Sequence, residues 1–197
     1  MLKRGMRRER GVTIIELMIG MVIVSIMLVF AVPSFSTFLQ NQQLRAHAQA
    51  FAAGLNLARS EALKRNTRVE MILTNDDPVA TQVATAVAST TGSNWIVRQV
   101  NSTNNYTFIE GREGNTTSGI YNATTTNVSS TASIIGLTNF GVSSLGTTAT
   151  ISLTNTRLGL CAPNGVTRCL NVVVSAGGQV RMCDPDTTLA SRDTRKC

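Results

Sequence analysis

The sequence is poor in the residues and motifs that mark enzymes. It contains a single histidine, His47, and no G-x-S-x-G, G-x-x-x-x-G-K-[ST] or H-E-x-x-H pattern. These absences exclude the usual serine-hydrolase elbow, the phosphate-binding P-loop and the zinc-protease helix. His47 falls within a helical pattern, where a lone histidine is more often a packing or surface residue than a base. We therefore predict that the protein is not an enzyme and that it has no cofactor.

Cysteine is absent from the first 160 residues, and no two cysteines form a C-x-x-C pair. The four cysteines are Cys161, Cys169, Cys183 and Cys197. Zinc sites need closely spaced ligand pairs, and the one histidine lies far from this region, so we predict no metal site. An even number of cysteines at one end of a chain instead indicates disulfides formed in an oxidising compartment.

Charge is absent from residues 17–32, an apolar run that is long enough to suit a membrane span of about 20 residues. A basic segment precedes this run and contains Lys3, Arg4, Arg7, Arg8 and Arg10. One ionisable residue, Glu16, stands where the run begins. A charged side chain at the centre of a membrane helix costs roughly 2.5–3.5 kcal/mol on insertion scales. Glu16 is therefore a candidate functional residue that requires a partner.

The segment GVTIIE (residues 11–16), with the basic residues before it and the apolar run after it, resembles the N-terminus of a type IV prepilin. This resemblance implies that residues 1–11 are a leader peptide, which prepilin peptidase cuts between Gly11 and Val12. It also implies N-methylation of the new amine. Glu16 is then the fifth residue of the mature chain, as in the family, and Pro33 takes a position where pilins often carry a helix-bending proline. Val12 departs from the family pattern, which usually begins with Phe or Met.

An ordinary secretory signal peptide is the simpler alternative. Its apolar core is about 7–15 residues long and is followed by a small-residue cleavage site. The run at residues 17–32 is longer, and no such site follows it. An uncleaved signal anchor also satisfies the length of a membrane span, but it leaves the spacing of glycine and glutamate as a coincidence. The prepilin interpretation explains all of these features.

A single long helix is predicted from Val12 to about Asn66. Residues 12–38 are apolar on all sides and form the predicted transmembrane and assembly half. Residues 39–66 are amphipathic, because apolar residues recur there with 4-3-4-3-4 spacing. These residues are Leu44, Ala48, Phe51, Leu55, Ala58 and Ala62. We predict that this face packs on an apolar core.

Short runs with strand-like composition follow the helix. They are Val69–Thr74, Trp95–Val100, Tyr106–Glu110, Ala149–Thr154, Leu170–Ser175 and Gln179–Met182. The segment AGGQ (residues 176–179) between the last two runs predicts a tight hairpin turn. Residues 81–156 are rich in Thr, Ser and Asn, which favours exposed strands and long loops over a dense core. The length leaves room for one head domain, residues 39–197.

The run LARSEALKRN (residues 57–66) is similar to the end of the helix in GspH/FimT-like minor pilins and pseudopilins. The resemblance implies a pilin-like α+β fold, in which a long N-terminal helix packs on a β-rich globular head. It implies a structural role in assembling or priming the pilus tip, with other pilins as partners. A minor pseudopilin of type II secretion is an alternative. The implied location is the bacterial inner membrane, crossed once with the head in the periplasm, and then the extracellular pilus.

The basic C-terminal tail supports a further hypothesis, DNA binding. Its cations are Arg181, Arg192, Arg195 and Lys196. Arginine forks suit phosphate oxygens, and three or four contacts give weak, salt-dependent binding without sequence preference. The resemblance adds that some FimT-like minor pilins of transformable bacteria are thought to bind DNA through such arginines, which makes extracellular double-stranded DNA a possible partner. The simpler alternative is a solvated charged terminus, since the tail lacks stacking aromatics and contains Asp184, Asp186 and Asp193. These aspartates also lack the glycine-anchored pattern of a calcium loop.

Turn sequences predict how the cysteines pair. Cys161 and Cys169 flank residues 163–165, a Pro-Asn-Gly turn sequence. Cys183 follows the last predicted strand, from which it can close a loop to Cys197. We therefore predict the pairs Cys161–Cys169 and Cys183–Cys197, one of the three connectivities that four cysteines allow.

Overall fold

In the computed structural model of the chain, residues 11–102, 105–114, 126–155 and 159–197 are described, and the side chains of residues 30–34, 102, 126 and 127 are not. The predicted leader, except for its last residue, lies outside the described residues, as does the side chain of Pro33. The chain divides into two compact units between Phe38 and Leu39.

A 52-residue helix, α1, runs from Ile14 to Arg65, two residues later and one residue earlier than the predicted ends. It ends because Asn66 adopts a left-handed conformation with φ of 50°. The Asn66 N–H then donates to the Leu63 carbonyl at 3.4 Å, and the Thr67 N–H donates to the Ala62 carbonyl at 3.2 Å. This pair of bonds is a Schellman motif with asparagine in the position that glycine usually takes.

The amphipathic half of α1 supplies one side of the core, as its periodicity predicts. Each of the six residues of the predicted face is at most 1% exposed: Leu44, Ala48, Phe51, Leu55, Ala58 and Ala62. The backbone at Gly54 touches the indole ring of Trp95, because an added Cβ would lie 2.9–3.0 Å from three ring atoms. The face therefore packs directly on the strands.

In the described part of the head there are two four-stranded sheets, in which all neighbouring strands are antiparallel. The strands are β1 Val69–Thr74, β2 Asn94–Ser102, β3 Asn105–Arg112, β4 Thr126–Ser130, β5 Ile134–Leu137, β6 Ala149–Asn155, β7 Leu170–Val174 and β8 Val180–Cys183. The first sheet has the order β3-β2-β1-β5 and the second the order β4-β6-β7-β8. One apolar cluster joins the helix face to both sheets.

All six predicted strands are present, but β4 and β5 are not predicted from the sequence. The composition of Thr126–Ser130 is almost entirely polar, and Ile134–Leu137 is only four residues long, so neither carries a clear alternation. The expectation that residues 81–156 are mostly exposed is wrong for β2 and β6. Trp95 and Val97 are buried in the core, and β6 alternates buried and half-buried residues along its length. The frequent Thr and Ser of β6 take the half-buried positions.

The first sheet is buried on both faces at β1, where all six residues are buried. Its second face holds an ion pair between Glu70 and Arg98, each 4% exposed, with a guanidinium nitrogen 2.8 Å from the carboxylate. Arg98 also donates to the Val83 carbonyl at 2.6 Å and lies 3.7 Å above the Tyr106 ring. Arg98 thereby ties the β1–β2 connection, which contains Val83, to the sheet.

The turn between β7 and β8 contacts the connection between β5 and β6. A Cβ at Gly178 would lie 1.9 Å from the Gly141 carbonyl oxygen, and Gly178 has φ of 75°. The Ser143 N–H donates to the Ala176 carbonyl at 3.0 Å. Only glycine satisfies both the left-handed backbone and the close approach at residue 178. The predicted hairpin thus also links the two sheets.

Candidate functional site

The N-terminal segment presents the predicted processing and assembly residues on an exposed helix start. Gly11 and Val12 precede α1, and Glu16 lies in its first turn. The Glu16 backbone N–H donates to the Thr13 hydroxyl at 3.3 Å. This bond and the T-x-x-E spacing match the N-terminal half of a capping box, a role that the sequence analysis did not assign to Thr13. A carboxylate in the first turn is also favoured by the helix dipole.

The apolar side chains from Val12 to Val29 are exposed in the part of the chain that the structure describes. From Val12 to Val29 the large apolar residues are 49–83% exposed. Contiguous exposed apolar surface on this scale marks an interaction surface in a soluble or membrane setting. In the part of α1 whose side chains are described, no helical stretch meets the length and apolarity required to cross a membrane.

The structure contains the disulfides Cys161–Cys169 and Cys183–Cys197, the two pairs expected from the turn sequences. The second disulfide closes the C-terminal loop, defined here as residues 183–197. Within it, the Asp184 N–H donates to the Arg195 carbonyl at 2.6 Å, and the Cys197 N–H donates to the Asp184 carbonyl at 3.1 Å. The chain end is therefore held beside the end of β8 by backbone bonds as well as by sulfur.

The four predicted DNA-binding cations are brought near one another, but they are not equally available. Arg195 donates to both carboxylate oxygens of Asp193, at 3.1 and 2.7 Å. These hydrogen bonds lower the pKa of Asp193 to about 2. Lys196 donates to the Leu189 carbonyl at 2.9 Å. Arg181 and Arg192 are exposed, and Arg181 lies 3.5 Å from the Cys197 carbonyl oxygen.

The aspartates of the tail stabilise its turns. Asp184 accepts from the Asp186 N–H at 3.0 Å, and Asp186 accepts from the Thr188 N–H and hydroxyl at 2.8 and 2.7 Å. The two bonds from Thr188 lower the pKa of Asp186. Among the residues that the structure describes, no group of three His, Cys, Asp or Glu side chains is placed to hold a metal ion.

His47 is half-buried on α1. Burial lowers the pKa of His47 below its ordinary value, and the nearby positive charge of Arg112 lowers it further. The imidazole is therefore held in its neutral form at neutral pH. This behaviour fits the packing role expected of a lone histidine.

A long N-terminal helix whose second half packs on antiparallel sheets, with an uncovered apolar first half, defines the pilin-like class of proteins. The family model described as Type II transport protein GspH matches residues 47–178, and the prokaryotic N-terminal methylation motif matches residues 6–32. The chain belongs to the GspH family. It is thus a minor pilin or pseudopilin of the type IV pilus or of type II secretion.

A solved structure of a type IV minor pilin shares this fold. The type IV minor pilin FimU of Pseudomonas aeruginosa strain PAO1 has a TM-score of 0.51 and 14% identity over 74% of this chain and 91% of that chain. The minor pseudopilin EpsH from the Type 2 Secretion System of Vibrio cholerae has a TM-score of 0.46 and 13% identity over 73% of this chain and 98% of that chain. At such identities the likeness concerns the fold alone. No curated protein matches the chain.

Proposed function

We propose that this protein is a minor type IV pilin that helps to assemble or prime the tip of the pilus. The observation that carries the proposal is the uncovered apolar surface of α1, which is joined to a head with a complete core of its own. A surface of this kind is stable only in a membrane or among similar helices. Processing by prepilin peptidase between Gly11 and Val12 would release a subunit that can move from the membrane into a bundle of similar helices.

Glu16 has a specific role in this proposal. It is the single charged residue between Val12 and Phe38, and an uncompensated carboxylate among packed helices is strongly unfavourable. The methylated amine of Val12, in the same or a neighbouring subunit, carries the opposite charge. Because attraction between opposite charges strengthens as the dielectric constant falls, this pairing favours the assembled helix bundle over loose association.

Variants of Glu16 test the proposal through the amount of protein in sheared pili. Glu16→Gln and Glu16→Val should both insert into the membrane yet lower incorporation, because each removes the charge. Thr13→Ala removes the cap without changing the charge and should assemble normally, which separates the charge from the start of the helix. Normal incorporation of both Glu16 variants would overturn the proposed pairing.

The finer assignment to a pilus is tested by deletion of the gene. Piliation, natural transformation and protein secretion are scored in parallel in one strain. Loss of pili with normal secretion supports the minor pilin. Loss of secretion with normal pili supports the alternative of a minor pseudopilin of type II secretion and overturns the proposal.

DNA capture by the tail is the second candidate function. It is favoured by the closed C-terminal loop, since an ordered loop loses less entropy on contact with a phosphate backbone. The exposed Arg181 and Arg192 are the cations best placed to bind, whereas Arg195 is already paired with Asp193. The charges of residues 181–197 nearly cancel, with four cations against three aspartates. Any binding should therefore be weak and should fall steeply with salt.

Mobility shifts with duplex DNA at low salt test this second candidate. The double variant Arg181→Gln with Arg192→Gln should weaken binding more than the matched control Arg195→Gln. Piliation should not change in either variant, because the substituted residues are exposed. Equal binding by the wild type and the double variant would support the simpler interpretation, in which the tail is a solvated charged terminus.

A further inference from the structure

The loop closed by the first disulfide, defined here as the 160s loop (residues 160–169), is clamped to the start of the head's helix. The Asn41 side chain donates to the Val166 carbonyl at 3.3 Å and accepts from the Arg168 N–H at 3.0 Å. Thr167, between these two bonds, is fully buried. Val166 is 61% exposed and Arg168 is exposed, so the side chains on either side of Thr167 project away from the head.

The exposed side chains of this loop include aliphatic and cationic groups, beside Pro163 and Asn164. Leu160 is 68% exposed. The backbone of Gly165 lies against it, because an added Cβ would be 2.0 Å from the Leu160 carbonyl oxygen. Arg45 is exposed on α1 one helical turn after Asn41, on the same face of the helix. Two aliphatic side chains and two guanidiniums are thus exposed on the 160s loop and on the helix turn that follows Asn41.

Carboxylates are absent from the chain segments that form this surface. No Asp or Glu occurs between Glu16 and Glu61, or between Glu113 and Asp184. The same stretches contain Arg45 and Arg168. These segments therefore carry a net positive charge, which favours an anionic partner.

Asn41 lies close in the sequence to the predicted membrane segment. Asn41 follows Phe38 by three residues and Glu16 by 25 residues. A helix needs about 20 residues to span a bilayer. The hydrocarbon core of a bilayer is about 30 Å thick and the headgroup layers extend it to about 40–45 Å. A span of about 20 residues that begins at Glu16 ends at about residue 36, so Asn41 follows the span by only a few residues of the sequence.

We propose that the 160s loop binds an anionic phospholipid surface while the subunit is held in the membrane before assembly. Leu160 and Val166 enter the interface, and Arg168 and Arg45 contact lipid phosphates, as amphipathic surface segments do. So few side chains are too small a set for a stable protein interface, which needs about 20–30 residues on each side. They are enough to hold the loop against lipid when the chain is already anchored in the membrane. The inference rests on the proposed function only in requiring that the N-terminal helix anchors the subunit.

Depth-dependent fluorescence of the full mature protein tests the proposal. The protein is reconstituted into vesicles of phosphatidylethanolamine with phosphatidylglycerol, or of phosphatidylcholine alone, each with or without brominated lipid. Val166→Trp reports on the 160s loop. Phe140→Trp is the matched control, because Phe140 is 78% exposed and its neighbour Gly141 approaches Leu63, 22 residues beyond Asn41 on the same helix. The native Trp95 is 1% exposed, and its emission in the wild type is subtracted.

The expected result in phosphatidylglycerol vesicles is that brominated lipid quenches the indole of the Val166→Trp variant and does not quench the indole introduced by Phe140→Trp. Adding Arg168→Gln to the Val166→Trp variant should lower the ratio of docked to undocked loop about fivefold, as for the loss of one basic residue near a charged surface. Circular dichroism and thiol titration verify that both variants keep the fold and the disulfides.

Three outcomes would overturn the proposal. A Val166→Trp protein that floats with the vesicles but keeps its introduced indole unquenched refutes the loop contact while leaving the anchored subunit intact. Equal quenching in phosphatidylcholine refutes the recognition of anionic lipid. If the introduced indole becomes buried only after other pilin subunits are added, the surface is a protein interface instead. Failure of the chain to float would contradict membrane anchoring itself, which separates the failure of the proposed function from that of the inference.

Discussion

Gly54 is the position where the structure most clearly reverses an ordinary expectation. Replacing glycine with alanine inside a helix normally stabilises it by about 1 kcal/mol. Here the added methyl group would lie 2.9 Å from one carbon of the Trp95 ring and 3.0 Å from two more. Trp95 is 1% exposed within the core, so its ring has little room to shift. Overpacking of this kind costs about 2 kcal/mol. Gly54→Ala should therefore lower the free energy of unfolding by about 1 kcal/mol.

A double-mutant cycle isolates the contact. Trp95→Phe removes the ring atoms that meet the new methyl group, so in that background Gly54→Ala should stabilise by about 1 kcal/mol. The coupling energy is then about 2 kcal/mol. Ala53→Gly, at an exposed position of the same turn, calibrates the helix propensity and should cost about 1 kcal/mol. Urea unfolding followed by circular dichroism measures all of these changes. A stabilising effect of Gly54→Ala with Trp95 in place would refute the close packing of helix and sheet.

Three further predictions concern the head. Arg98→Met should cost about 3 kcal/mol in urea unfolding, because the buried Glu70 then keeps only the half-exposed Arg68, 3.2 Å away, as its partner, whereas adding Glu70→Leu should recover much of the loss. The pKa of His47 is lowered in the fold, so the unfolded chain binds the proton more readily. The free energy of unfolding should therefore fall as the pH drops below about 6.5. His47→Gln should reduce this pH dependence in thermal unfolding at pH 5 and pH 8. Reduction of Cys183–Cys197, or Cys183→Ser with Cys197→Ser, should cost roughly 2–4 kcal/mol, with tail proteolysis as a second readout.

Local patterns predict those parts of the fold in which one side of an element is buried. The spacing from Leu44 to Ala62 identifies the buried helix face because only a helix brings such residues to one side. Period-two alternation similarly marks β6. The short β5 and the polar β4 leave no such signal, since their pairing depends on neighbouring strands that come from distant parts of the sequence.

The candidate sites also differ in how far the sequence alone predicts their residues. The processing segment around Gly11 and Glu16 is contiguous, so its residues are visible in the sequence. Two contacts are not visible in the sequence. The pairing of Arg195 with Asp193 depends on the turn geometry of the closed tail. The clamping of the 160s loop joins Asn41 to residues that lie 125 and 127 positions away in the sequence. Counting the basic residues of the tail therefore overstates how many cations are available to a ligand.

The central claim is that a processed pilin subunit begins at Val12. Mass spectrometry of the N-terminal peptide from protein in sheared pili tests it most directly. The account predicts a peptide that starts with N-methylated Val12 and contains Glu16. A mature protein that retains Met1, or that begins after the apolar run, would contradict it.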